Sequence, residues 1–208
     1  MGRHWNAGQV CCSSKRIIVV DEIYDAFLAK YKQGVAKLKA GDPMDPTTTL
    51  APLSSQGAVD DLKAQLDKAI AHGGMLEVIG AEVPTKGAFV RPVLLSMAED
   101  NPTYRMEFFG PVSQVIRACD EADAIRIAND SPFGLGGSVF TQDVAHGIEV
   151  ARKISTGMVY INHPTGVAAD LPFGGVRRSG YGRELVGLGI KEFVNHKLIA
   201  VTDIDGAF

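Results

Sequence analysis

The stretch Arg16-Ile17-Ile18-Val19-Val20-Asp21-Glu22-Ile23-Tyr24-Asp25-Ala26-Phe27-Leu28 decides the fold. Its first five residues are short and mostly β-branched, which reads as a buried strand. Asp21 stands where it can cap a helix, and Ile23, Phe27, Leu28 and Tyr31 fall on one helical face. That helix is expected to continue to about Leu38. A strand that passes directly into a helix opens an alternating α/β chain.

Outward from this unit the alternation continues. Residues 41–49 are turn-rich and read as a loop. Ser54 or Ser55 opens a second helix through Leu62, Leu66 and Ile70, and Gly73-Gly74 stops it. Strands are expected at 75–79, 89–95 and 111–117, then a helix at 121–129 and a strand at 137–140. A helix over 144–154 should turn Val144, Ile148 and Ala151 inward, before a strand at 157–162. Residues 163–182 form a Gly- and Pro-rich loop whose length marks it as functional. A last short strand is expected at 198–202. Two Gly-rich spots, Gly180-Tyr181-Gly182 and Gly134-Leu135-Gly136-Gly137, lack a full G-x-G-x-x-G and read as turns. The class is α/β, with a largely parallel sheet flanked by helices.

Composition excludes several functions. The 208 residues carry a net charge of -3, which gives no general attraction to nucleic acid or anionic lipid. No apolar run is long enough to span a bilayer, and the first residues do not read as a signal-peptide pattern. The three cysteines, Cys11, Cys12 and Cys119, are too few and too badly spaced for a disulfide framework or a zinc site. A reducing, cytoplasmic setting is expected, with no metal.

Taken alone, Cys11 follows a Gly-containing turn and precedes a strand or helix. Only a few per cent of an ordinary cysteine is thiolate at neutral pH, and amides aimed at the sulfur would raise that fraction. The bland alternative is a small buried hydrophobe. For Glu107 the bland alternative is a surface charge, and for Phe109 a core aromatic. Four segments shift that balance: Asn6-x-Gly8-Gln9-x-Cys11, Glu107-x-Phe109-Gly110-Pro111, Gly157-x-Val159-x-Ile161-Asn162, and Pro172-Phe173-Gly174-Gly175 continuing to Ser179-Gly180-x-Gly182-Arg183-Glu184. In this order and spacing they resemble the motifs of the aldehyde dehydrogenase superfamily, over nearly the whole chain.

The resemblance implies a role for each matching position. Cys11 would be the nucleophile, forming a thiohemiacetal and then a thioester, with its own N–H as one oxyanion donor. Glu107 would accept hydrogen bonds from the nicotinamide ribose, and Phe109 would pack beside the nicotinamide. Trp5, Asn162 and Phe173 are candidates for the substrate pocket; Asn162 equally suits a strand end that satisfies a loop, and Phe173 a packing role. Arg183-Glu184 reads as a salt-bridged helix start, Arg177 and Arg178 as solvated surface, and Cys12 and Cys119 as buried thiols.

The resemblance also implies a division of the chain: a catalytic domain over 1–190 and an oligomerisation arm over 191–208 that carries the last strand. The family's cofactor-binding domain, with its water-activating Glu and oxyanion Asn, is expected to be absent, which would leave this chain inactive alone. NAD or NADP is the implied cofactor, with NAD taken and NADP open. The 162–175 and 179–185 segments are similar to the bacterial succinate-semialdehyde dehydrogenase branch, so a semialdehyde is the implied substrate. An Arg that holds the substrate carboxylate in one such branch is replaced here by Trp5. A homo-oligomer is expected. The competing readings are a non-catalytic scaffold derived from such an enzyme, and a thiol hydrolase using His163 or His196.

Overall fold

The computed structural model describes residues 2–206. The opening unit forms as a strand β1 (Arg16–Val20) followed by a helix α1 (Asp21–Val35). Then come α2 (Gln56–Ala71), β2 (Met75–Val78), β3 (Val93–Ser96), β4 (Val112–Ala118) and α3 (Glu121–Asn129). The remainder is β5 (Phe133–Gly134), β6 (Gly136–Val139), α4 (Val144–Lys153), β7 (Met158–Ile161), β8 (Val176–Arg177) and a one-turn α5 (Val186–Gly189). Short 3₁₀ turns cover Trp5–Gly8 and Ile190–Phe193.

The central sheet runs β1-β4-β3-β2. β1 and β3 both lie parallel to β4, and β2 closes one edge antiparallel to β3. Alternation along the strands splits the core between two faces. Val93, Leu95 and Val112 join Leu62, Leu66 and Ala69 of α2, together with Leu50, Leu53, Phe108 and Ala7. Val19, Leu94 and Val115 face the other way, against Phe27, Leu28, Tyr31 and Val35 of α1. The largely parallel, helix-covered architecture is therefore present.

Several local expectations are corrected. The N-cap of α1 is Val20, with no side-chain cap bond, and Asp21 instead pairs with Arg117. That helix stops at Val35, where 3₁₀-type bonds tighten its end, and Ile23 lies exposed. Ser55 caps α2, its side chain accepting from the Ala58 N–H at 3.1 Å. Ala69 is the buried residue near the end of α2, and Ile70 points outward. In α4 the buried face is Gly147 and Val150, not Val144 and Ile148. The helix seats there on its glycine: a β-carbon on Gly147 would lie 2.7 Å from Thr141 Cγ2.

β6 and β7 form a parallel pair of their own rather than extending the central sheet, and β5 pairs with β8 antiparallel. Gly134, Gly136 and Gly137 therefore sit in strands, not turns; Gly136 packs against Thr165, too close for a side chain. No strand forms over 198–202: its residues are exposed, and among the described residues no strand offers its backbone a partner. Among the described residues, no helix is long and apolar enough to cross a membrane.

Candidate active site

The turn before Cys11 is built from an unusual backbone. Asn6 (φ 48°), Ala7 (φ 54°) and Gly8 (φ 82°) are three successive left-handed residues. Side chains disfavour that region, so fixed partners must hold it. Ala7 is buried in the α2-side core. The side chain of Gln9 donates to Asn6 O at 3.1 Å and accepts from the Ser54 N–H at 2.8 Å, tying the turn to the start of α2. Gly8 is forced by space as well as by φ. A β-carbon there would lie 2.2 Å from Gly110 O. The first motif thus rests directly on the second.

Arg3 locks the two together. Its guanidinium is 2% exposed and donates to Gly8 O at 3.1 Å, Phe108 O at 2.8 Å, Val112 O at 2.6 Å, the Ser13 hydroxyl at 2.8 Å, and Gly110 O. Burial lowers its pKa to about 10, still far above neutrality. One buried cation therefore satisfies carbonyls from both motif loops. Beside it His4 is buried and held neutral, its pKa pushed down to about 3 by burial and then by the Arg3 charge.

Within the Glu107–Phe109 segment the side chains divide. Phe108, the unspecified middle residue of the motif, is sunk in the core at 2% exposure. Glu107 is half-buried, and Phe109 is 44% exposed. Cys11 is exposed, so its sulfur is not sealed in hydrocarbon. Cys12 is buried as expected, and burial followed by the neighbouring Cys11 raises its pKa. Cys119 is corrected: it lies exposed in the turn between β4 and α3, its N–H on Asp123 Oδ2 at 3.0 Å.

Lys15 brings Cys11, Glu107 and Phe109 into one group. Its Nζ lies 2.9 Å from Glu107 Oε1, 2.7 Å from Val10 O and 2.9 Å from Cys11 O. It also stands 5.6 Å from the centroid of the Phe109 ring. Burial lowers its pKa, and the hydrogen bond to Glu107 opposes that shift. An open groove of about 1770 Å³ runs from here between β1 and β6, lined among others by Cys11, Glu107, Phe133, Phe173 and Arg178.

The remaining candidates are scattered. Trp5 is 67% exposed and Asn162 is exposed, and neither lines the groove. Asn162 has a left-handed φ of 58° and its Oδ1 accepts from the Thr141 N–H at 2.8 Å, which is the loop-satisfying arrangement. Phe173 does line the groove, and its backbone bridges to Glu184. Arg183 and Glu184 do not pair as a helix start. Arg183 donates to Gly175 O at 2.8 Å because carbonyls of the Gly174-Gly175 turn need a donor. Arg177 likewise donates to Asn129 O and Ser131 O, and Arg178 lies over the Phe133 ring, so neither is simply solvated. His163 is turned to Pro164 O at 2.6 Å, and neither it nor His196 lines the groove. No group of three metal-ligating side chains occurs among the described residues.

Comparison with known proteins bears on this geometry. The profile of the aldehyde dehydrogenase family matches residues 1–199. A succinate-semialdehyde dehydrogenase [NADP(+)] of Deinococcus radiodurans is 49% identical over 199 residues, 95% of this chain and 42% of that protein. One from Mycobacterium ulcerans is 42% identical over 96% of this chain and 44% of its own length. A crystal structure of succinic semialdehyde dehydrogenase from Streptococcus pyogenes with NADP+ superposes with a TM-score of 0.91, at 46% identity, over 97% of this chain and 45% of that one. Betaine aldehyde dehydrogenase from Staphylococcus aureus with NAD+ gives a TM-score of 0.86 at 34% identity, over 92% of this chain and 39% of that one. The chain spans about two fifths of the length of the curated relatives it matches.

Proposed function

The chain belongs to the aldehyde dehydrogenase family, and on that basis we propose that it carries the nucleophilic half of an aldehyde oxidation, with Cys11 as the attacking thiolate. The observation that supports this most is the convergence of an exposed Cys11, Glu107 and Phe109 on one ammonium group. The Cys11 thiolate adds to the aldehyde carbon and the negative charge passes to the carbonyl oxygen, where an N–H donor stabilises it until the C=O re-forms as hydride leaves. A nicotinamide dinucleotide, when bound, supplies the hydride acceptor. This chain's residues suit its nicotinamide end: Glu107 is a half-exposed, acceptor-only carboxylate for ribose hydroxyls, beside the exposed ring of Phe109. Water then releases the acid from the Cys11 thioester.

The relatives' names favour succinate semialdehyde as substrate and NADP rather than NAD as cofactor. We take residues 1–190 as the catalytic domain and 191–208 as an arm that pairs with a second copy. The water-activating Glu and oxyanion Asn of the family are not among the matched motifs. The isolated chain is therefore expected to show no steady, aldehyde-dependent NADPH production, and turnover at the rate of a complete enzyme would refute this.

The direct test is competitive alkylation near neutral pH with mass-spectrometric readout. Cys11 and Cys119 are both exposed, so accessibility alone predicts similar rates. A preformed site predicts that Cys11 reacts at least about tenfold faster. Equal rates would favour the second reading, a folded scaffold without nucleophilic chemistry.

A further inference from the structure

We propose that Lys15 is a positioning residue for the reaction: it aims the Cys11 N–H at the developing oxyanion by holding the carbonyl on the other end of the same peptide unit. This rests on the reading of Cys11 as nucleophile. An ammonium group has three donors and no acceptor. Those of Lys15 are met by Val10 O at 2.7 Å, Cys11 O at 2.9 Å and Glu107 Oε1 at 2.9 Å. The group is saturated, and its side chain is only 15% exposed.

The consequence follows from covalent geometry. Val10 C=O and Cys11 N–H belong to one planar, trans peptide unit and point in opposite directions. Fixing the oxygen on Lys15 fixes the hydrogen at the opposite edge of the peptide plane. The next unit, Cys11 C=O with Cys12 N–H, is fixed the same way. Among the described residues the Cys11 N–H makes no backbone hydrogen bond, so it is free to donate to an oxyanion. Val10 O also accepts from the Ser13 N–H at 3.1 Å, so the carbonyl is held from two directions. A cation on a carbonyl further polarises the N–H across the peptide and strengthens it as a donor. Glu107 keeps the ammonium in register, which links the thiol loop to the proposed ribose-binding carboxylate. The three donors of Lys15 are spent on two carbonyls and the Glu107 carboxylate, so its part is orientation.

Two reactions of the same sulfur separate this from other roles. With 4-nitrophenyl acetate the Cys11 thiolate attacks the ester carbon, a tetrahedral oxyanion forms, the C–O bond breaks, and 4-nitrophenolate leaves a thioester. With iodoacetamide the sulfur bonds to the methylene carbon, iodide leaves, and no oxyanion forms. Both rates follow thiolate content and access, but only acylation uses the N–H donor. Cys11 acylation and alkylation are measured by peptide mass spectrometry in the native chain and in Lys15→Met. The acylation-to-alkylation ratio is expected to fall by about tenfold, short of the roughly hundredfold loss when a donor is removed outright. A ratio unchanged within about twofold, even if both rates drop, overturns the proposal and leaves the nucleophile reading intact. Cys11 reacting no faster than Cys119 with either reagent in the native chain overturns both. Should Lys15→Met fail to fold by circular dichroism, Lys15→Gln, which removes the charge, takes the same comparison.

Discussion

A methyl group at residue 8 has nowhere to go: its carbon would lie 2.2 Å from Gly110 O, on a backbone already at φ 82°. Gly8→Ala is expected to destabilise the chain by about 3 kcal/mol and to slow Cys11 alkylation. Urea unfolding and labelling rates check this, and a variant of native stability would contradict the packing described. His4 gives a second prediction at this scale. Its folded pKa is about 3 against an ordinary 6.5, so below 6.5 the unfolded chain binds a proton that the folded chain refuses. The His4 contribution is complete above about pH 6.5 and is lost as pH falls toward 3. Between about pH 7 and 5 it amounts to about 2 kcal/mol, which a His4→Gln variant should remove from the pH profile of the urea midpoint. The sequence pointed to Gly8, Cys11, Glu107 and Phe109 because they are motif letters. It was silent on Arg3 and Lys15, because most of their partners are main-chain carbonyls, some more than a hundred positions away, and a carbonyl leaves no mark in a sequence.

Helix starts show how local chemistry and tertiary context divide the elements. Ser55 holds the first turn of α2 through the Ala58 N–H, whereas α1 begins without any side-chain cap. Ser55→Ala is therefore expected to cost about 1 kcal/mol in thermal or urea unfolding. Asp21→Ala, which removes only an exposed ion pair with Arg117, should cost less than half of that. The long periodic helices and the β-branched strands were legible because each carries enough residues to express a period. β5 and β8 were not, since two residues cannot show alternation. α4 failed differently. Val144, Ile148 and Ala151 make one apolar face and Gly147, Val150 and Ile154 another, and hydrophobicity alone cannot choose between them. The closeness of Gly147 to Thr141 chooses.

At the scale of the whole molecule, the α/β class was legible, but the separation of β6–β7 from the central sheet was not, because the pattern of a strand does not name its neighbour. The same holds for residues 198–202, which carry a strand-like sequence and have no strand partner among the described residues. Ile190, Phe193, Leu198, Ile199, Val201 and Ile204 are all exposed here. Apolar surface of that kind invites association, so light scattering is expected to give a mass at least twice that of one chain. Removing residues 195–208 should return it to the monomer value, and a monomer at every concentration for the intact chain would refute the arm's role. Finally, Arg3 ties the thiol turn, the Glu107 loop and the start of β4 to one cation inside the hydrophobic interior. The turn that carries Cys11 and the framework beneath it therefore share one support. Mild urea or warming is expected to loosen the neighbourhood of Cys11 and the framework together, so that the reactivity proposed for the Cys11 sulfur and the far-ultraviolet dichroism vanish along one superimposable curve.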